Sequence, residues 1–112
     1  MELLIIRPAD AHPKPRQFDG PVSLGLALAL MIEGPPEVVP GFTSISQQGR
    51  IRRCTAYTAE NAKENGLPVN STATALWHAA LKRQGLERGL RRSDGTIADW
   101  LAGDVVVVLD EA

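Results

Sequence analysis

The sequence predicts the α+β class: a single small domain, spanning 1–112, in which a mixed β-sheet is packed by two main helices. Three observations lead there. Two short unbroken apolar runs, Leu3 to Ile6 and Val105 to Leu109, have the length and composition of strands buried on both faces. A third run, Arg50 to Thr58, sets Ile51, Arg53, Thr55 and Tyr57 against Arg52, Cys54, Ala56 and Thr58, with the β-branched and aromatic content of a strand. Two longer segments, Pro21 to Glu33 and Asn70 to Gln84, begin with helix-start signals. At 112 residues the chain matches one domain with one core, and its 4% aromatic share requires that core to be aliphatic.

Taken in order, Leu3 to Ile6 is a central strand ended by Arg7 and Pro8. Ala9 to Gly20 holds Pro13 and Pro15 among His12, Lys14 and Arg16, so it reads as a flexible surface loop without regular backbone bonding. Pro21 opens the first helix, where a preset φ and a missing amide hydrogen cost nothing. That helix, PVSLGLALALMIE, is apolar around most of its circumference and belongs in a core or against another molecule. Gly25 and Ala29 give it a smooth stripe, expected to pack on the chain's own sheet, with a homodimer as the open alternative. Gly34, Pro35 and Pro36 end it.

Val38 to Ile45 is a weak strand or turn, and Gln47, Gln48 and Gly49 form a polar turn before the arginine-rich strand. Asn70 or Ser71 caps the second helix, whose inward face is Ala73, Leu76, Trp77, Ala80 and Leu81; Gly85 stops it. Residues 85–95 are glycine-broken and basic, the second expected flexible loop. Thr96 to Trp100 suggests a short helical turn before the last strand.

A net charge of −1 recommends neither a nucleic-acid binder nor a mimic of one. The lone Cys54 excludes an internal disulfide and a cysteine-based metal site, and a buried structural thiol is the expected role. His12 and His78 lie on different elements without partners at ligand spacing, so no metal is expected. The N-terminal apolar run is too short for a signal peptide and begins with an acid. The longest apolar run, Val22 to Ile32, is about half of what a bilayer crossing needs, so a cytoplasmic protein with no membrane contact is expected. No nucleophile elbow and no phosphate-cradling loop is present, and no cofactor is expected. Among the carboxylates, Asp99 and Asp104 beside turns are expected to accept backbone amides, and Glu60 and Glu64 flank a polar turn. Arg50, Arg52 and Arg53, together with Lys82, Arg83, Arg88, Arg91 and Arg92, could merge into one basic surface; a solvated face is the favoured reading, and nucleic-acid binding is the less favoured one.

The segments Gly66-Leu67-Pro68-Val69-Asn70 and Gly103-Asp104-Val105-Val106-Val107 carry a likeness. The chain resembles a family of small phage and mobile-element proteins catalogued only as a domain of unknown function, marked by an N-terminal hydrophobic strand, a GLPxN turn and a terminal GDxxVV strand. It departs from that pattern at Ala9 to Gly20, at Leu86 to Gly95 and more loosely at Glu60 to Glu64. The resemblance implies an origin in a virus or plasmid and an accessory role, and it transfers no catalytic residue. The expected function is therefore non-enzymatic binding of a host protein in a bacterial cytoplasm. The expected contacts are Glu60, Asn61, Asn70, Arg83, Arg88, Arg91 and Arg92. The alternatives are a nucleic-acid-associated protein using the arginines, or a small enzyme of unknown reaction. Read physically, the same turn needs no partner: Gly66 permits a positive φ, Pro68 fixes the bend and Asn70 caps a helix.

Overall fold

The computed structural model describes residues 2–17, 24–86 and 99–110. Six strands and two helices follow in the order β1 (Glu2–Ile6), β2 (Pro15–Gln17), α1 (Leu24–Met31), β3 (Pro36–Val38), β4 (Ser44–Gln47), β5 (Arg50–Ala59), α2 (Ser71–Gln84) and β6 (Val105–Leu109). The predicted α+β domain is what forms. The sheet runs β2-β1-β6-β5-β3, with β4 also on β5, and every pairing among the described residues is antiparallel. The last strand in sequence is thus the middle of the sheet, between β1 and β5. Its continuous Val-Val-Val-Val-Leu run follows from cover on both faces.

The ten-residue β5 needs two short neighbours on its other edge. Its first half pairs β4 across a two-residue hairpin, and its second half pairs β3. Gln48 (φ 50) and Gly49 (φ 76) both take positive φ, the backbone that a two-residue hairpin requires to match the strand twist.

The strands' alternation divides the core in two. Leu4, Ile6, Cys54, Ala56, Val105, Val107 and Leu109 face α2, joined by Phe42, Ile45 and the helix residues Ala73, Trp77, Ala80 and Leu81. Leu76 packs on this cluster only in part. On the opposite face Leu3, Val106 and Ala59 meet Ala27, Leu28 and Ile32 from the α1 side. The helix α2 begins at Asn70, whose side chain accepts from the Ala73 amide, and ends at Gly85 in the left-handed region (φ 68), where the Leu86 amide donates back to the Leu81 carbonyl.

Two expectations are corrected. The loop expected over Ala9 to Gly20 contains a strand, since Pro15 to Gln17 pairs with Leu4 to Glu2. Proline is tolerated there because β2 is the sheet edge and its missing donor costs no ladder bond. The Gly25 and Ala29 stripe does not pack on the sheet: both residues are exposed, together with Leu26 (54%) and Leu30 (76%), while Ala27 and Leu28 turn inward. A helix apolar all around gives no periodicity from which to read its buried side. Residues 21–23 of the expected helix lie outside the described residues. So do 87–95 of the second expected loop and 96–98 of the expected helical turn, of which the described residues 99 and 100 have no regular structure. No helix among the described residues is long and apolar enough to cross a membrane.

Candidate functional site

The two sequence motifs meet in space. Leu67 to Asn70 lies alongside Leu101 to Gly103 as a short antiparallel ribbon. The Asn70 amide donates to the Leu101 carbonyl (2.8 Å), the Gly103 amide donates to the Pro68 carbonyl (2.8 Å), and Val69 bridges Ala102. Gly103 is required twice over: its φ is +71, and an added Cβ would stand 2.8 Å from Leu67 Cδ1. Below the ribbon, Asn70 is fully buried. Its Nδ2 donates to the Ile6 carbonyl (2.8 Å) and the Gly103 carbonyl (2.9 Å), and its Oδ1 accepts from the Ala73 amide (3.0 Å). One side chain thus ties the end of β1, the entry to β6 and the start of α2.

The strap at residues 99–102 is then held against α2. Leu101 N donates to Thr74 Oγ1 (2.9 Å). His78 Nε2 lies 2.8 Å from the Asp99 carbonyl, which can only accept, so that nitrogen carries the proton. Asp99 Oδ1 accepts from the Trp100 amide (2.8 Å), as expected of a turn carboxylate. No hydrogen bond to the Asp104 carboxylate is found among the described residues, so the turn role expected for it is not seen.

Between this strap, the end of β5, β3 and α2 lies a cleft of about 440 Å³. Its floor is apolar, with Val39, Ala59, Ala62, Trp77, Leu101 and Ala102 all buried. Trp77 is fixed there by its Nε1, which donates to the Pro40 carbonyl (2.8 Å). The rim is charged: Glu37, Glu60, Glu64 and Asp99, with Lys63. Lys63 forms an ion pair with Asp99, and its Nζ stands 4.4 Å from the ring centroid of Trp100, an indole 40% exposed at the mouth. The turn from Glu60 to Gly66 that places these groups is closed by amides of Ala62, Asn65, Gly66 and Leu67 donating to carbonyls of Ala59, Asn61, Lys63 and Ala62.

The residues expected to contact a partner are dispersed. Glu60 is on the cleft rim, and Asn61 is exposed on the same turn. Asn70 is a correction: with every side-chain hydrogen-bonding group used inside the core, it has no surface to present. Arg83 lies away from the cleft, its Nε and Nη2 donating to Ser44 Oγ at 3.1 and 3.0 Å. Arg88, Arg91 and Arg92 lie outside the described residues. The strand arginines Arg50, Arg52 and Arg53 line a second cleft of about 550 Å³ with Gln47, Gln48 and Asp110. Acids are interleaved there: Arg52 forms an ion pair with Glu2 and donates to the Asp110 carbonyl (3.4 Å). Cys54 is buried as expected, its Sγ 3.7 Å from the Phe42 carbonyl. Burial first, then the Asp110 charge, push its thiol up to about 11 against the opposing pull of Arg83, which leaves it a poor nucleophile. Among the described residues, no three metal-ligating side chains stand together.

Lys63 and Trp100 were not legible as site residues. The available signal was Asp99-Trp100, a carboxylate beside one of only two tryptophans. No family model, curated protein or solved structure matches this chain.

Proposed function

We propose that the chain is a non-enzymatic binding protein, an accessory factor of a phage or mobile element, that docks a host protein at the cleft beside the Glu60 to Gly66 turn in the bacterial cytoplasm. The observation that carries this reading is the cleft itself: an apolar floor holding the Trp77 indole, with the Trp100 indole at the mouth, large enough for one or two side chains and open to solvent beside exposed charges. Tryptophan at the centre of a water-excluding depression is the residue type on which binding energy concentrates. The GLPVN and GDVVV resemblance supports the mobile-element origin. The nucleic-acid alternative has weaker support, because Glu2 and Asp110 break up the arginine groove.

The test is affinity capture from host lysate with three baits. They are the wild type, a cleft variant carrying Val38→Lys and Trp100→Ala, and a variant with Arg88, Arg91 and Arg92 reversed in charge. Val38 and Trp100 line the cleft and are 52% and 40% exposed, so neither change empties the core. A partner retained by the wild type and the arginine variant but lost by the cleft variant is the expected outcome. Retention by the cleft variant counts against this site, and loss by the arginine variant alone returns the contact to the arginines.

A further inference from the structure

The cleft's rim is strongly biased in charge. Four carboxylates, Glu37, Glu60, Glu64 and Asp99, stand against one ammonium, Lys63, a formal −3 in a chain whose total is −1. The single cation of the rim is paired with the carboxylate of Asp99 and stands over the indole ring of Trp100, 4.4 Å from its centroid. An aromatic face with an adjacent carboxylate is an arrangement that attracts a basic side chain through the ring quadrupole and the ion pair together.

Resting on the docking reading above, we propose that this seat is the recognition point for a lysine or arginine side chain of the partner polypeptide, and that Lys63 is its internal stand-in. A neighbouring aliphatic side chain of the same segment enters the apolar floor. The exchange is energetically accessible because the resident pair is exposed, with side-chain exposures of 44% for Lys63 and 41% for Asp99. Exposed pairs of this kind contribute little to stability, so swapping one cation for another costs little. Glu37, Glu60 and Glu64 are all exposed and favour the incoming cation over neutral or acidic segments, more strongly at low salt.

The experiment titrates the ¹⁵N-labelled protein with three capped tripeptides, Leu-Lys-Leu, Leu-Met-Leu and Leu-Glu-Leu, and follows the two indole N–H signals of Trp77 and Trp100 by NMR. The expected result is that the lysine peptide shifts both signals at the lowest concentration and the glutamate peptide at the highest. Lys63→Met, which vacates the seat, should tighten the lysine peptide by about threefold, the equivalent of an exposed ion pair. Asp99→Asn, which keeps the oxygen that accepts from Trp100 N, should weaken it by a similar factor. Equal binding of the lysine and methionine peptides overturns the cation seat while leaving the docking cleft standing. Absence of any indole shift with all three peptides overturns both. An unchanged affinity in Lys63→Met overturns the stand-in role; that position is exposed, and the variant's own spectrum verifies its fold.

Discussion

Asn70 carries the sharpest stability prediction, because its three buried hydrogen bonds join three elements that are otherwise distant in sequence. Replacing it with alanine removes a helix cap, at about 1 kcal/mol. It also strips the Ile6 and Gly103 carbonyls of a buried donor, at about 1 kcal/mol or somewhat more for each. The expected loss is about 3–4 kcal/mol, a large part of the 5–15 kcal/mol typical of a domain. Asn70→Asp separates the two roles. It keeps the oxygen that accepts from Ala73 N and is as good a cap as asparagine, but it turns a carboxylate toward two carbonyl oxygens in a site with no exposure. The assay is urea unfolding at neutral pH, read as the midpoint with the slope checked for constancy. Asn70→Asp should be at least as destabilised as Asn70→Ala. An aspartate variant within about 0.5 kcal/mol of the wild type would refute the reasoning, since capping alone would then explain the residue.

Three further outcomes are expected. Gly103→Ala should cost about 2–3 kcal/mol from the positive φ and the contact with Leu67, and Leu67→Ala in the same chain should recover part of that loss; Gly66→Ala, at φ +69 with nothing within 4 Å of an added Cβ, should cost only about 1 kcal/mol in the same urea assay. Cys54, its thiol raised from 9.0 to about 11, binds its proton more tightly folded than unfolded, so its contribution is complete below about pH 9 and is lost as pH rises through about 11. The wild type should therefore lose more urea stability than Cys54→Ala between about pH 8 and about pH 10.5, and native protein should resist iodoacetamide at pH 8. Trp77→Phe deletes the donor to the Pro40 carbonyl and should lower stability by about 1 kcal/mol, measured by thermal unfolding, while blunting the cleft floor.

The strands at Leu3 to Ile6 and Val105 to Leu109 were legible as unbroken apolar runs, and Arg50 to Thr58 and the inward face of α2 because period-2 and 3.6-residue patterns report burial directly. Leu4, Cys54, Val107 and Trp77 are where those patterns place them. The choice between Asn70 and Ser71 as cap required the geometry of the Ala73 amide. The edge strand β2 was hidden because its two-proline neighbourhood suppresses the usual strand signal, although an edge needs fewer donors. The outward side of α1 was hidden because Leu, Ala and Gly occupy every side of that helix. The cleft was the least legible feature. Lys63 lies 36 residues from Asp99 and its neighbour Trp100, and meets them only because the GLPVN ribbon docks on Leu101 to Gly103. Asn70 read as a surface contact because an asparagine two residues after Pro68 fits an exposed turn, and only the docking of the ribbon on Leu101 to Gly103 buries it.

The central claim, that the proposed partner seats in the cleft between β3, the Glu60 to Gly66 turn and the 99–102 strap, is tested most directly by site-specific photo-crosslinking in cells of the proposed bacterial host. A benzophenone amino acid is placed singly at Val38, Trp100 and, as a control on the arginine groove, Ile51, all exposed positions. The account predicts one crosslinked host protein from positions 38 and 100 and none from position 51. Crosslinking from position 51 with none from 38 or 100 would contradict it.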